Sequence, residues 1–141
     1  MKAEELNKGN IVENKKIDIF NKGYVEIHAR HIYEMAVKES SQGYNDYVDF
    51  FKPITMSEKF HNLFGVYKNG FDSYEYILER NQNLNIKIVF FQDYIMLRQG
   101  KGGVDDDLIS IWNNDVTRRE IYVHEFQNMY RALSGKGLAI Q

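Results

Sequence analysis

The chain has 141 residues, with 10 Tyr, 9 Phe, one Trp, one Pro and no Cys, and 18 basic against 20 acidic side chains. Aromatic content on this scale excludes a disordered chain, and the length suits one core that buries about two-thirds of the unfolded surface. The lack of Cys removes disulfides, Cys-zinc sites, iron–sulfur clusters and thiol nucleophiles, and the near-balanced charge argues against a general nucleic-acid footprint while leaving room for a local one.

In chain order, residues 1–10 read as a short cap or tail, one helical turn ended by the turn signal Lys8-Gly9-Asn10. Ile11-Val12, residues 17–20 and residues 24–28 read as three short strands, an N-terminal β-meander. Residues 29–39 read as a helix, since Ile32, Met35 and Ala36 recur at i, i+3 and i+4. A loop at 40–46 and a strand at 47–51 follow. Thr55 and Glu58 have capping-box spacing before the stripe Phe60, Leu63, Phe64, and Gly65 suits a helix C-terminus, so a short central helix is expected. Residues 74–79, 85–91 and 94–99 read as strands, 100–107 as a loop broken by Gly100 and continued by Asp105, Asp106 and Asp107. Residues 108–112 and 118–122 read as the last strands. From Val123 an amphipathic helix carries Phe126, Met129, Tyr130 and Leu133 on one face and His124, Glu125, Gln127, Asn128 and Arg131 on the other, and Ser134-Gly135 stops it. The pattern is a single α+β domain spanning 1–141, mainly antiparallel sheet, with Phe60, Phe64, Phe126, Tyr130 and Leu133 expected in its core.

Two segments carry a resemblance. Residues 52–58, running on to Phe64-Gly65, and residues 121–135 resemble a group of small proteins encoded by phages and prophages of Bacteroidetes-type bacteria. Those proteins open with a leucine–x–x–glycine–asparagine turn, matched here by Leu6 to Asn10. They carry a proline–isoleucine–x–leucine–threonine–glutamate helix start in mid-chain, and end with a valine–histidine–glutamine–leucine–glutamine–asparagine helix closing on glycine. Met56 stands here for leucine, and Glu125 and Phe126 for glutamine and leucine. The resemblance implies a mobile-element setting. It brings no catalytic residues.

Candidate chemistry is sparse. His28, His31 and Glu34 have chelating spacing but no evident further ligand, so two surface histidines are the expectation. His124 and Glu125, as helix neighbours, point about 100° apart and read as a polar face, and Gln127 and Asn128 as a structural clamp on strand edges. The glycines around Lys101 lack the spacing of a phosphate loop. Trp112, Arg118, Arg119, Tyr122 and Arg131 form the one basic–aromatic cluster, in which rings would stack on bases or a protein surface while arginines contact phosphates. No catalytic set, metal site or cofactor motif emerges.

The expected function is therefore a non-enzymatic binding module of phage or prophage origin. Its expected action is inhibition by occluding a host protein or ribonucleoprotein, such as a CRISPR-type defence nuclease. The alternatives are a nucleic-acid-binding accessory protein, and a small-nucleotide sponge or an enzyme with scattered site residues. No apolar run approaches the ~18 residues of a membrane span, and the N-terminus lacks an apolar signal region. A cytoplasmic location in the bacterial host, without membrane contact, is the corresponding expectation.

Overall fold

The computed structural model describes residues 1–40, 48–66, 68, 73–80, 84–91, 94–101, 104–113 and 121–141, with 94, 101 and 104–113 described by backbone alone. The architecture is α+β. A 3-10 turn at Ala3–Glu5 leads to β1 (Ile11–Val12), β2 (Val25–Glu26) and helix α1 (Ala29–Ser40). A 3-10 turn at Val48–Phe50 precedes the short helix α2 (Glu58–Leu63). Strands β3 (Ser73–Arg80), β4 (Leu84–Phe91), β5 (Tyr94–Lys101) and β6 (Val104–Asn113) follow, and α3 (Val123–Ser134) ends the chain's regular structure. β1 and β2 make a two-stranded antiparallel ribbon, while β3 to β6 form a four-stranded antiparallel sheet in sequence order.

Two apolar clusters lie against the ribbon. Successive side chains of a strand point to opposite faces, so Ile11 enters the larger cluster while Val12 enters the smaller one. The larger joins Phe60 of α2 and Phe64 at its end, Tyr76 of β3, Ile88 of β4, Ile95 of β5 and Phe126 of α3. The smaller joins Leu6, Ile27, Met35, Val48 and Phe51. α3 packs against both β1 and β3, and Phe126 meets Tyr76 edge-on at 4.8 Å and Phe90 at 5.5 Å. Phe60, Phe64 and Phe126 are buried as their spacing predicts, whereas Leu133 is 45% exposed. The apolar stripe of α3 runs out of sheet to cover it in the last turn. Gly135, at φ 72°, closes α3 in the left-handed conformation that glycine accommodates without strain.

Several sequence expectations are corrected. Residues 17–20 are turns, and the meander is a two-stranded ribbon. The alternation of Ile17 and Ile19 is overridden by Asn14 and Asp18, whose side chains offer local acceptors to nearby N–H groups. Within 47–51 the chain makes a 3-10 turn, because Val48 and Phe51, three apart, both turn into the smaller cluster. Helix α2 starts after Ser57, not Thr55. Thr55 is instead bridged to Tyr122, flanked by bonds from Met56 N to Ile121 O (2.9 Å) and Val123 N to Ile54 O (2.8 Å). Asp105, Asp106 and Asp107 belong to strand β6, opposite Gly100, Gln99 and Arg98. Pairing with β5 outweighs the turn preference of aspartate. Of residues 118–122, Ile121 and Tyr122 form an isolated bridge to the Ile54–Met56 segment in place of a strand, and 118–120 lie outside the described residues. Of the loop expected at 40–46, Ser40 still belongs to α1, and 41–46 lie outside the described residues too.

Candidate interaction surface

The three segments that carry the sequence motifs are tied to one another. The side-chain amide of Gln127, in α3, accepts from Ile11 N (2.8 Å) and donates to Gly9 O (3.0 Å). Asn128 Oδ1 accepts from Asn7 Nδ2 and Asn10 Nδ2, while its own amide donates to Glu5 O. The mid-chain segment joins through the bridge on either side of Thr55. These residues therefore hold the N-terminal turn, α2 and α3 together. The clamp expected of Gln127 and Asn128 is what they form.

His124 and Glu125 are structural as well, which corrects the expectation of a solvated polar face for His124. Its ring is buried and lies nearly parallel to that of Tyr122. Glu125 Oε2 accepts from Tyr122 N at 3.0 Å and so caps the helix start. His31 is likewise buried, not a surface residue. Its Nδ1 accepts from His28 N at 3.1 Å at the start of α1, and burial, followed by the nearby charges of His28 and Arg30, lowers its pKa. Among the described residues no three His, Asp or Glu side chains gather as a metal ion would need.

The basic–aromatic cluster is not assembled by its described members. Tyr122 precedes α3 and Arg131 lies in its last turn, at the opposite end of a 12-residue helix. Arg131 donates to Lys8 O at 3.3 Å. Trp112 pairs with Ile95 near the end of β6. Arg118 and Arg119 lie outside the described residues.

A surface that sequence reasoning missed lies in the 14–23 loop. Asn14 is fully buried, and its carbonyl accepts from Ile17 N (3.3 Å) and Asp18 N (3.0 Å) while its Oδ1 accepts from Lys16 N. Asp18 then closes the far side. Its carbonyl accepts from Asn21 N, and its two carboxylate oxygens accept from Lys22 N (2.9 Å) and Gly23 N (2.7 Å). Asn21 takes a left-handed φ of 52°, which asparagine tolerates better than most residues. This scaffold turns Ile19 and Phe20 outward, 81% and 75% exposed. Beside the loop lies an open pocket of about 540 Å³ whose walls include Ile17, Phe20, Tyr24, His28 and Arg30. Glu26 and Ile140 border both it and a second pocket that reaches Gln127 and Arg131. On α1, Tyr33 and Val37 continue from Arg30 at helical spacing and are also exposed. The signal in the sequence was present: Asn14 and Asp18 are turn-forming residues that break a strand pattern.

No helix among the described residues is long and apolar enough to cross a membrane. No family model, curated protein or solved structure matches the chain.

Proposed function

We propose that this chain is a non-enzymatic binding module that engages a host protein through the 14–23 loop. The observation that carries this reading is the outward display of Ile19 and Phe20 on a loop whose backbone is already bonded in place. Large apolar side chains held in water become favourable on burial, at about 25 cal/mol per Å² of apolar area covered. An ordered loop also avoids most of the ordering entropy that binding would otherwise cost. The buried motif residues support the same division of labour: Phe60, Phe64, His124, Phe126 and Gln127 face the interior and build the scaffold, which leaves recognition to other surfaces. The phage and prophage resemblance supports a setting in the bacterial cytoplasm, with a defence nuclease of the CRISPR type as the host protein and occlusion as the mode of action.

The test is affinity capture from the native host with the wild-type chain and with an Ile19→Asp, Phe20→Asp variant, followed by reconstitution with the purified captured protein. The variant is expected to keep its melting temperature and lose the captured protein. Capture that survives both substitutions would remove the loop from the contact. Protection of phage in a plaque assay under active CRISPR-type interference should disappear in the same variant.

A further inference from the structure

The loop's surroundings say what kind of partner it fits. Lys15, Lys16 and Lys22 are exposed on the same loop as Ile19 and Phe20, with Lys16 Nζ over the Phe50 ring at 4.3 Å; exposed Arg30 lines the adjoining pocket, and Lys59 reaches Lys22 O at 3.3 Å. Lys22 Nζ also lies 5.5 Å from the Phe20 ring. The acidic groups nearby are fewer: Asp18, both of whose oxygens are engaged by backbone N–H groups, Glu26 on the pocket border, and Glu34, paired with Arg30 at 3.8 Å. A chain of net charge −2 thus places a local excess of positive charge around its most exposed apolar side chains.

We infer that the partner is a protein surface with an apolar cleft rimmed by carboxylates. Phe20 and Ile19 are its anchors, and Lys22 and Arg30, which line the same pocket, face the rim with Lys15 of the same loop beside them. This rests on the binding-module reading and adds the chemistry of the partner. Large apolar groups seated centrally with charges outside them match the core-and-rim anatomy of protein interfaces. An anionic bilayer fits less well, since a flat surface leaves the pocket beside Phe20 unfilled and meets the carboxylates of Asp18 and Glu26. A second copy of this chain would bring two basic rims together, which like-charge repulsion opposes. A nucleic acid would stack on Phe20 but has no use for Ile19, which presents no ring.

The experiment uses the full chain and a labelled acidic amphipathic peptide, with Leu and Phe on one helical face and Glu on the other. Its charge-reversed counterpart carries Lys for Glu. Fluorescence anisotropy should show binding of the acidic peptide alone, weakening as salt rises. Phe20→Ala should weaken it by about tenfold or more, as expected for an anchor residue. Lys22→Glu combined with Arg30→Glu should shift preference toward the basic peptide. Equal binding of the two peptides, or no binding of the acidic one, overturns the proposal. So does sedimentation with phosphatidylglycerol vesicles that Phe20→Ala abolishes, or a dimer in light scattering that the same substitution dissolves. The two readings fail separately. If Phe20→Ala abolishes capture of the host protein but the charge reversal leaves it intact, the loop stands as the contact and the acidic rim falls.

Discussion

At His61 the surrounding fold sets a charge state. The ring is buried, stacked on Tyr74 at 3.9 Å and met edge-on by Phe90 at 4.6 Å, and its Nδ1 shares a hydrogen bond of 2.5 Å with the Tyr76 hydroxyl. Burial lowers its pKa from 6.5 to about 4. The same burial raises the Tyr76 hydroxyl, and burial together with the Glu58 carboxylate raises that of Tyr74. Below pH 6.5 the unfolded chain therefore takes up a proton that the folded ring refuses until about pH 4. The stabilisation is complete above pH 6.5 and is lost as pH falls through that window. Its size is roughly 3 kcal/mol. His31, lowered in the same direction, adds to the slope. Urea midpoints measured at about pH 7.5 and about pH 4.5 should differ, and His61→Phe, which cannot take up the proton, should shrink the difference. An equal drop in His61→Phe would mean that another group governs the acid loss. Position 61 lies beside Phe60 in α2, and both its burial and its partner Tyr76 were set by what packs against that helix.

At the scale of the element, α3 supports a graded series. Phe126 is fully buried between Tyr76 and Phe90, and Phe126→Ala should cost ~3–5 kcal/mol. Glu125→Ala removes the acceptor for Tyr122 N and should cost about 1 kcal/mol. Leu133→Ala, at a 45% exposed position, should stay within about 1 kcal/mol. Thermal denaturation of the three variants gives the order directly. A Leu133→Ala loss as large as that of Phe126→Ala would show that the last turn of the helix is covered after all. The helical spacing alone treats Phe126 and Leu133 alike, because periodicity defines a face and says nothing about where the sheet beneath it ends.

At the scale of the whole molecule, Gln127 is the tie between distant parts of the chain. One buried amide accepts from Ile11 N and donates to Gly9 O and Leu138 O. It thereby fastens the N-terminal turn and the C-terminal tail to α3. The tail continues to Gln141, whose N–H donates to Leu63 O at 3.0 Å, at the end of α2. Gln127→Ala strands the buried N–H of Ile11 and should cost about 1–3 kcal/mol. It should also loosen β1 and the tail together, read as faster amide hydrogen exchange at Ile11 and Gln141 with slower changes in β3 and β4. Exchange that rises uniformly over the chain would argue against a local clamp.

What the sequence determined by itself was local. Period-2 runs marked β3, β4 and β5, helical spacing marked α1 and α3, and Gly65 and Gly135 marked helix ends, because these patterns report short-range geometry that tertiary contacts reinforced. Even the amide clamp was legible in outline, since a helix carrying Gln127 and Asn128 needs polar partners wherever those side chains are covered. The tertiary structure decided the rest. It chose which polar residues would be buried, His61, His31 and His124, since burial depends on what packs opposite. It separated Tyr122 from Arg131, which sequence order had grouped, because eight residues of helix stand between them. It turned residues 17–20 from a strand into a locked loop that holds Ile19 and Phe20 in water. An alternation of apolar side chains cannot reveal whether a backbone will find its hydrogen bonds in a neighbouring strand or in its own Asn14 and Asp18.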